Sequence, residues 1–182
     1  MPCQRKTLDL TELANGTPGI TPDFGKMLSE AAIVCLEDQS HSSGVLMNLL
    51  GIYDNIRCLI EWNNGTDQMR RCYNDKQFAT ENGAYGIAIL LIQEIMDLTA
   101  LQRSRKGTGF DWWVGGKDQN DAPFQNSARL EVSGILNGTH SDISGRVRQK
   151  IRQTTLSDGT SLPAIIIVVE FGMPCSRVEL KC

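Results

Sequence analysis

The chain has 182 residues, of which 41% are hydrophobic and 21% charged, with a formal net charge of −3. That composition belongs to a globular protein long enough to bury its own core, and it excludes a disordered or fibrous chain. The acidic balance excludes a uniformly basic nucleic-acid binder, so any contact with phosphates has to come from a local basic patch.

The six cysteines, Cys3, Cys35, Cys58, Cys72, Cys175 and Cys182, form no C-x-x-C pair, and the only histidines are His41 and His140. A structural zinc site is therefore not expected. Cys35 and Cys58 lie in apolar stretches and read as small buried hydrophobes, which suits a reducing, cytoplasmic setting. In that setting the Asn-x-Thr triplets at Asn15, Asn64 and Asn137 are chance sequons. The opening MPCQRKTLDLTELANG lacks the apolar core of a signal peptide. The longest apolar runs, 86–92 and 164–169, are too short to span a bilayer, and no membrane contact is expected.

Residues 1–22 are rich in Thr, Gly and Pro and read as an irregular arm. Pro22 and Asp23 open a helix through about Glu37, with Met27, Ala31, Val34 and Cys35 on one side. Residues 44–50 and 55–62 read as two strands joined by a turn at 51–54, and Asn63-Asn64-Gly65 breaks the chain. A second helix is predicted over 80–96 with Thr80 as N-cap, placing Glu81 in the first turn and on the apolar face. Short strands follow at 98–103, 109–115 and 128–136. Residues 142–154 then form a helix with Ile143, Val147 and Ile151 in line. The unbroken run 164–169 suits a strand buried on both faces, and 128–171 reads as a strand–helix–strand crossover. The fold class is thus α/β (α+β), with a mixed central sheet. An αβββαβ core occupies 76–182, and residues 1–75 add a helix and hairpin packed on it as one unit.

Period-two alternation puts Asp111 and Trp113 on one strand face, and Arg129, Glu131 and Ser133 on one face of the next. Two acids on adjacent strands repel, and a cation resolves that repulsion. The alternative readings are local: Asp111 closing a Gly-rich turn on its own backbone, Glu131 pairing with Arg129, and Trp112 and Trp113 packing on opposite sides of the sheet. Neither histidine has a nucleophile partner, and no phosphate-binding glycine motif is present.

The order αβββαβ, with Asp111 in Gly107-Thr-Gly-Phe-Asp-Trp-Trp113, Glu131 in Arg129-Leu-Glu-Val-Ser133 and Glu81 on the preceding helix, resembles the PD-(D/E)XK, restriction-endonuclease-like nucleases. The resemblance covers about 100 residues and rests on a three-residue signature. It implies a nuclease or nuclease subunit that hydrolyses phosphodiester bonds with Mg²⁺ or Mn²⁺, in prokaryotic defence or DNA processing. It implies Asp111, Glu131, Glu81 and the Val132 carbonyl as metal ligands. Such an ion polarises phosphate and lowers the pKa of water.

The departure is Ser133, which stands at the catalytic position where the family has a lysine; Lys106, just before Asp111, or Lys117, just after it, is expected to supply the catalytic cation in its stead. Phosphate or base contacts fall to Arg105, Trp113, Arg129, Arg146, Arg148 and Lys150, for a nucleic-acid partner that is expected to be DNA. The alternative is an inactive domain of the same fold, acting as a binding or assembly subunit with a protein partner or as a homodimer.

Overall fold

A computed structural model of the chain describes residues 4–117 and 127–182. Eight strands form one mixed sheet: β1 (Gln4–Asp9), β2 (Val45–Gly51), β3 (Ile56–Glu61), β4 (Leu98–Arg103), β5 (Trp112–Gly116), β6 (Ala128–Ile135), β7 (Ala164–Glu170) and β8 (Cys175–Lys181). Their order across the sheet is β1-β3-β2-β8-β7-β6-β5-β4. Four helices accompany them: α1 (Pro22–Asp38), the short α2 (Asp67–Cys72), α3 (Lys76–Ile95) and α4 (His140–Gln153). The chain is a mixed α/β protein, and residues from α3 to β7 run in the order αβββαβ.

Strand β7 explains the layering. All seven of its residues are buried, as a β-branched strand packed on both faces requires. Ile165, Ile167 and Val169 point into the large core with α1 and α3. Ala164, Ile166 and Val168 point the other way, into a smaller core with Ile143 and Val147 of α4. β6 and β7 run parallel with α4 as their connection, while β5 is antiparallel to β6 and β4 to β5.

Several sequence expectations are corrected by the tertiary structure. The supposed arm contains β1, parallel to β3 at the sheet edge, and a 3-10 helix from Leu10 to Asn15. Strands β1–β3 continue the core sheet, because β2 pairs with β8, a strand the sequence did not announce. The strand expected over 109–115 starts at Trp112, since Gly107 and Gly109 adopt positive φ and keep the segment before it in a turn. Helix α3 starts four residues early: Asp75, not Thr80, caps it, accepting from the amides of Gln77 and Phe78.

The five described cysteines are free thiols, and Cys3 lies outside the described residues. Among the described residues no helix is long and apolar enough to cross a membrane.

Candidate functional site

Asp111 is the last residue held by the β5–β6 ladder: its amide donates to Leu130 O at 2.8 Å, and its carbonyl accepts from Ser104 N at 2.8 Å. Beyond it the two strands diverge. The Asp111 side chain fills the gap, with Oδ2 accepting from Val132 N at 2.9 Å. The N–H and C=O of one strand residue project to the same side, so the Val132 carbonyl faces this opening as well. Oδ1 accepts from the Tyr85 hydroxyl at 2.8 Å, and Tyr85 in turn accepts from Arg103 Nη2 at 3.1 Å.

Glu131, one strand over, is 1% exposed. Lys150 Nζ donates to its Oε1 at 2.6 Å, while Oε2 is buried with no hydrogen-bond partner among the described residues. Burial first, and then the nearby charge of Asp111, push the Glu131 carboxyl up to about 8 against the opposing pull of Lys150. Below that value the group holds a proton, which relieves its repulsion from Asp111; a cation bound between the two acids would do so in the proton's place.

The lysine comes from α4, on neither of the segments that sequence proximity suggested. Lys117 pairs with Asp97 at 3.7 Å. Lys106 is exposed in the turn before Asp111 and does not line the cleft. Arg146, one turn before Lys150, donates to Ser133 Oγ at 2.7 Å, so the serine position also receives a cation from α4. Both side chains lie on the face of α4 that turns Ile143 and Val147 into the smaller core. Glycine at 134 permits the close packing at the far wall, because a Cβ there would come within 2.4 Å of Thr80 O.

These groups line a cleft of about 670 Å³, with Glu81, Tyr85, Asp111, Glu131, Ser133, Arg146 and Lys150 on its walls. Glu81 is neither in the first turn of its helix nor turned toward the core. It is exposed at the cleft wall, where Tyr85 Oη lies 3.4 Å from its Oε1. Among the described residues no three His, Cys, Asp or Glu side chains cluster closely enough to hold a metal by themselves. A hard divalent ion here would have to draw on Asp111, Glu131 and the Val132 carbonyl, with water and phosphate completing the shell. The unpartnered Glu131 Oε2 is the observation that favours that fit.

The expected nucleic-acid contacts divide. Arg148 is exposed on α4 and Arg105 in the 104–108 turn. Trp113 is half-buried, edge-on to Phe110 with ring centroids 4.7 Å apart, and does not line the cleft. Arg129 is a correction: it is 2% exposed. Its guanidinium donates to Leu162 O, Thr154 O and Ser157 Oγ and lies 3.2 Å from Asp158, so it pins the segment after α4 and is buried away from any ligand.

Sequence reasoning missed Tyr85 and Arg103 as partners of Asp111, and took Lys150 and Arg146 only for phosphate contacts. The signal for the last two was present: Arg146 and Lys150 each precede a member of the Val147, Ile151 stripe by one position, at the border of the buried face. Comparison with family models, with curated proteins and with solved structures found no match for the chain.

Proposed function

We propose that this chain is a divalent-metal-dependent nuclease whose site is the Asp111–Glu131 cleft. The observation that carries the reading is the unpartnered, buried oxygen of Glu131 beside Asp111, with the Lys150 ammonium on the other oxygen. The resemblance to PD-(D/E)XK nucleases supports it, and Lys150 supplies the cation missing at Ser133. Asp111, Glu131 and the Val132 carbonyl would hold Mg²⁺ or Mn²⁺, which when bound supplies charge to a phosphate and a water of lowered pKa. Tyr85 orients Asp111 through its hydroxyl. Lys150 places positive charge where the phosphoryl oxygens gather negative charge, and Arg146 adds a second cation on the same wall. The exposed Arg148 and Arg152 put further positive charge on the solvent side of α4, available to a nucleic-acid backbone, expected to be DNA.

A second reading has its own observation. Both Asp111 oxygens already accept hydrogen bonds, and Lys150 already neutralises part of Glu131. That suits an inactive domain of this architecture serving as a binding or assembly subunit.

Calorimetric titration of Mg²⁺ and Mn²⁺ into the wild type, Asp111→Asn and Glu131→Gln separates the two, run beside cleavage assays on single- and double-stranded DNA and RNA. Metal binding and cleavage that both substitutions abolish, with the fold intact by circular dichroism, support the nuclease. Absence of metal binding to the wild type removes it and leaves the binding subunit.

A further inference from the structure

A second cavity, of about 690 Å³, adjoins the acid cleft, and Glu81 and Tyr85 are walls of both. Its character differs. Phe24 and Met27 of α1, Phe78 and Asn82 of α3, and Trp112 of β5 line it, with Arg103 at the border. Phe78 sits in the first turn of α3 with 45% of its surface in water, its ring stacked beside Tyr73 with centroids 6.2 Å apart. Trp112 is 2% exposed, and its indole N–H has no acceptor among the described residues. The Arg103 guanidinium lies over the Tyr85 ring at 4.6 Å and the Trp112 ring at 4.8 Å, and its side chain is 46% exposed.

We propose that this groove is a base subsite: an unpaired nucleobase flanking the phosphate in the acid cleft stacks on the aromatic wall at Phe78 and Phe24 and presents a ring acceptor to the half-exposed Arg103 guanidinium. The inference rests on the nucleic-acid reading above and names its substrate as a strand with an unpaired nucleotide beside the cut. The chemistry selects the occupant. Aromatic walls and a flat cation suit a planar π-system, and every nucleobase has both a π-face and in-plane acceptors. An aliphatic chain offers Arg103 no acceptor. A base stacked and paired within a duplex has no free face to offer, so the site selects against intact duplex.

The test is a fluorescence titration, in EDTA so that no strand is cut, with a short single-stranded oligonucleotide carrying one 2-aminopurine. The same sequence as a blunt duplex is the comparison. Wild type is expected to quench the probe and to bind the single strand at least about tenfold more tightly than the duplex. Phe78→Ala weakens single-strand binding about tenfold and removes the quench, whereas Phe78→Trp retains both. Equal binding and quenching by Phe78→Ala, or equal affinity for the duplex, overturns the subsite. Magnesium titration of the same samples keeps the two ideas apart. Quenching lost in Phe78→Ala without metal binding leaves the groove standing and removes the metal site. Metal binding without quenching does the reverse.

Discussion

Lys150 Nζ lies 2.6 Å from Glu131 Oε1, and the other Glu131 oxygen is buried without a donor among the described residues. A carboxylate satisfied on one side only is costly to ionise, and removing its charge relieves the fold while removing a proposed metal ligand. Glu131→Gln is therefore expected to stabilise the metal-free protein by about 1–2 kcal/mol at pH 8–9 and to abolish magnesium binding. Urea denaturation in EDTA, beside calorimetry, reads both.

The same carboxyl sets a pH dependence. Its folded-state pKa is raised from 4.5 to about 8, so between those values the folded protein holds a proton that the unfolded chain has released. Stability therefore falls as pH rises through that window, and the penalty is complete above it. Metal binding at the proposed site is expected to move the opposite way, strengthening with pH and releasing a proton. Midpoints of thermal unfolding from pH 5 to 9 should decline more steeply in the wild type than in Glu131→Gln. Equal slopes would remove Glu131 as the titrating group.

Lys150→Met keeps the stem and deletes the ammonium. It is expected to lower turnover about 100-fold or more while leaving metal affinity unchanged or higher, because the competing cation has gone. Steady-state kinetics with parallel metal titration make the separation; a loss confined to metal binding would assign Lys150 a different part.

Tyr85→Phe removes the hydroxyl that lies 2.8 Å from Asp111 Oδ1 and receives Arg103. The expected cost is about 1 kcal/mol of stability and roughly 10-fold in metal affinity, since Asp111 loses a group that orients it. A variant whose metal affinity equals that of the wild type would show that Val132 N and Arg103, 3.7 Å from Oδ1, suffice to hold the carboxylate.

The two arginine populations should behave oppositely. Arg129→Met breaks a buried set of bonds to Leu162, Thr154 and Ser157 and should cost about 2–4 kcal/mol, with no selective effect on nucleic-acid affinity once folded. Arg148→Gln and Arg152→Gln should leave stability within about 0.5 kcal/mol. They should weaken binding alike for all sequences and reduce the salt slope by about one per charge removed. Denaturation curves and a salt series of binding isotherms tell them apart.

The sequence by itself determined the elements whose residues repeat with a clear period. The run 164–169 announced a strand buried on both faces, Ile143, Val147 and Ile151 announced α4, and alternation aligned Arg129, Glu131 and Ser133 on one strand face. Periodicity is a property of neighbours in the chain and survives without tertiary knowledge. It was silent on β1 and β8, whose places depend on pairing with β3, β2 and β7 far along the chain. It put Glu81 in the wrong turn, because Asp75 and Thr80 are both good caps and only packing chose between them. It made Arg129 a surface cation, although the carbonyls that bury it come from residues 25 and 33 positions away. The lysine facing Glu131 was decided by the tertiary structure alone: α4 crosses the sheet so that Lys150 comes down on β6, while Lys106 and Lys117, closer to Asp111 in sequence, are turned elsewhere by the 104–108 turn and by Asp97. A charge–charge contact between elements depends on distance in space, and sequence separation carries almost none of that distance.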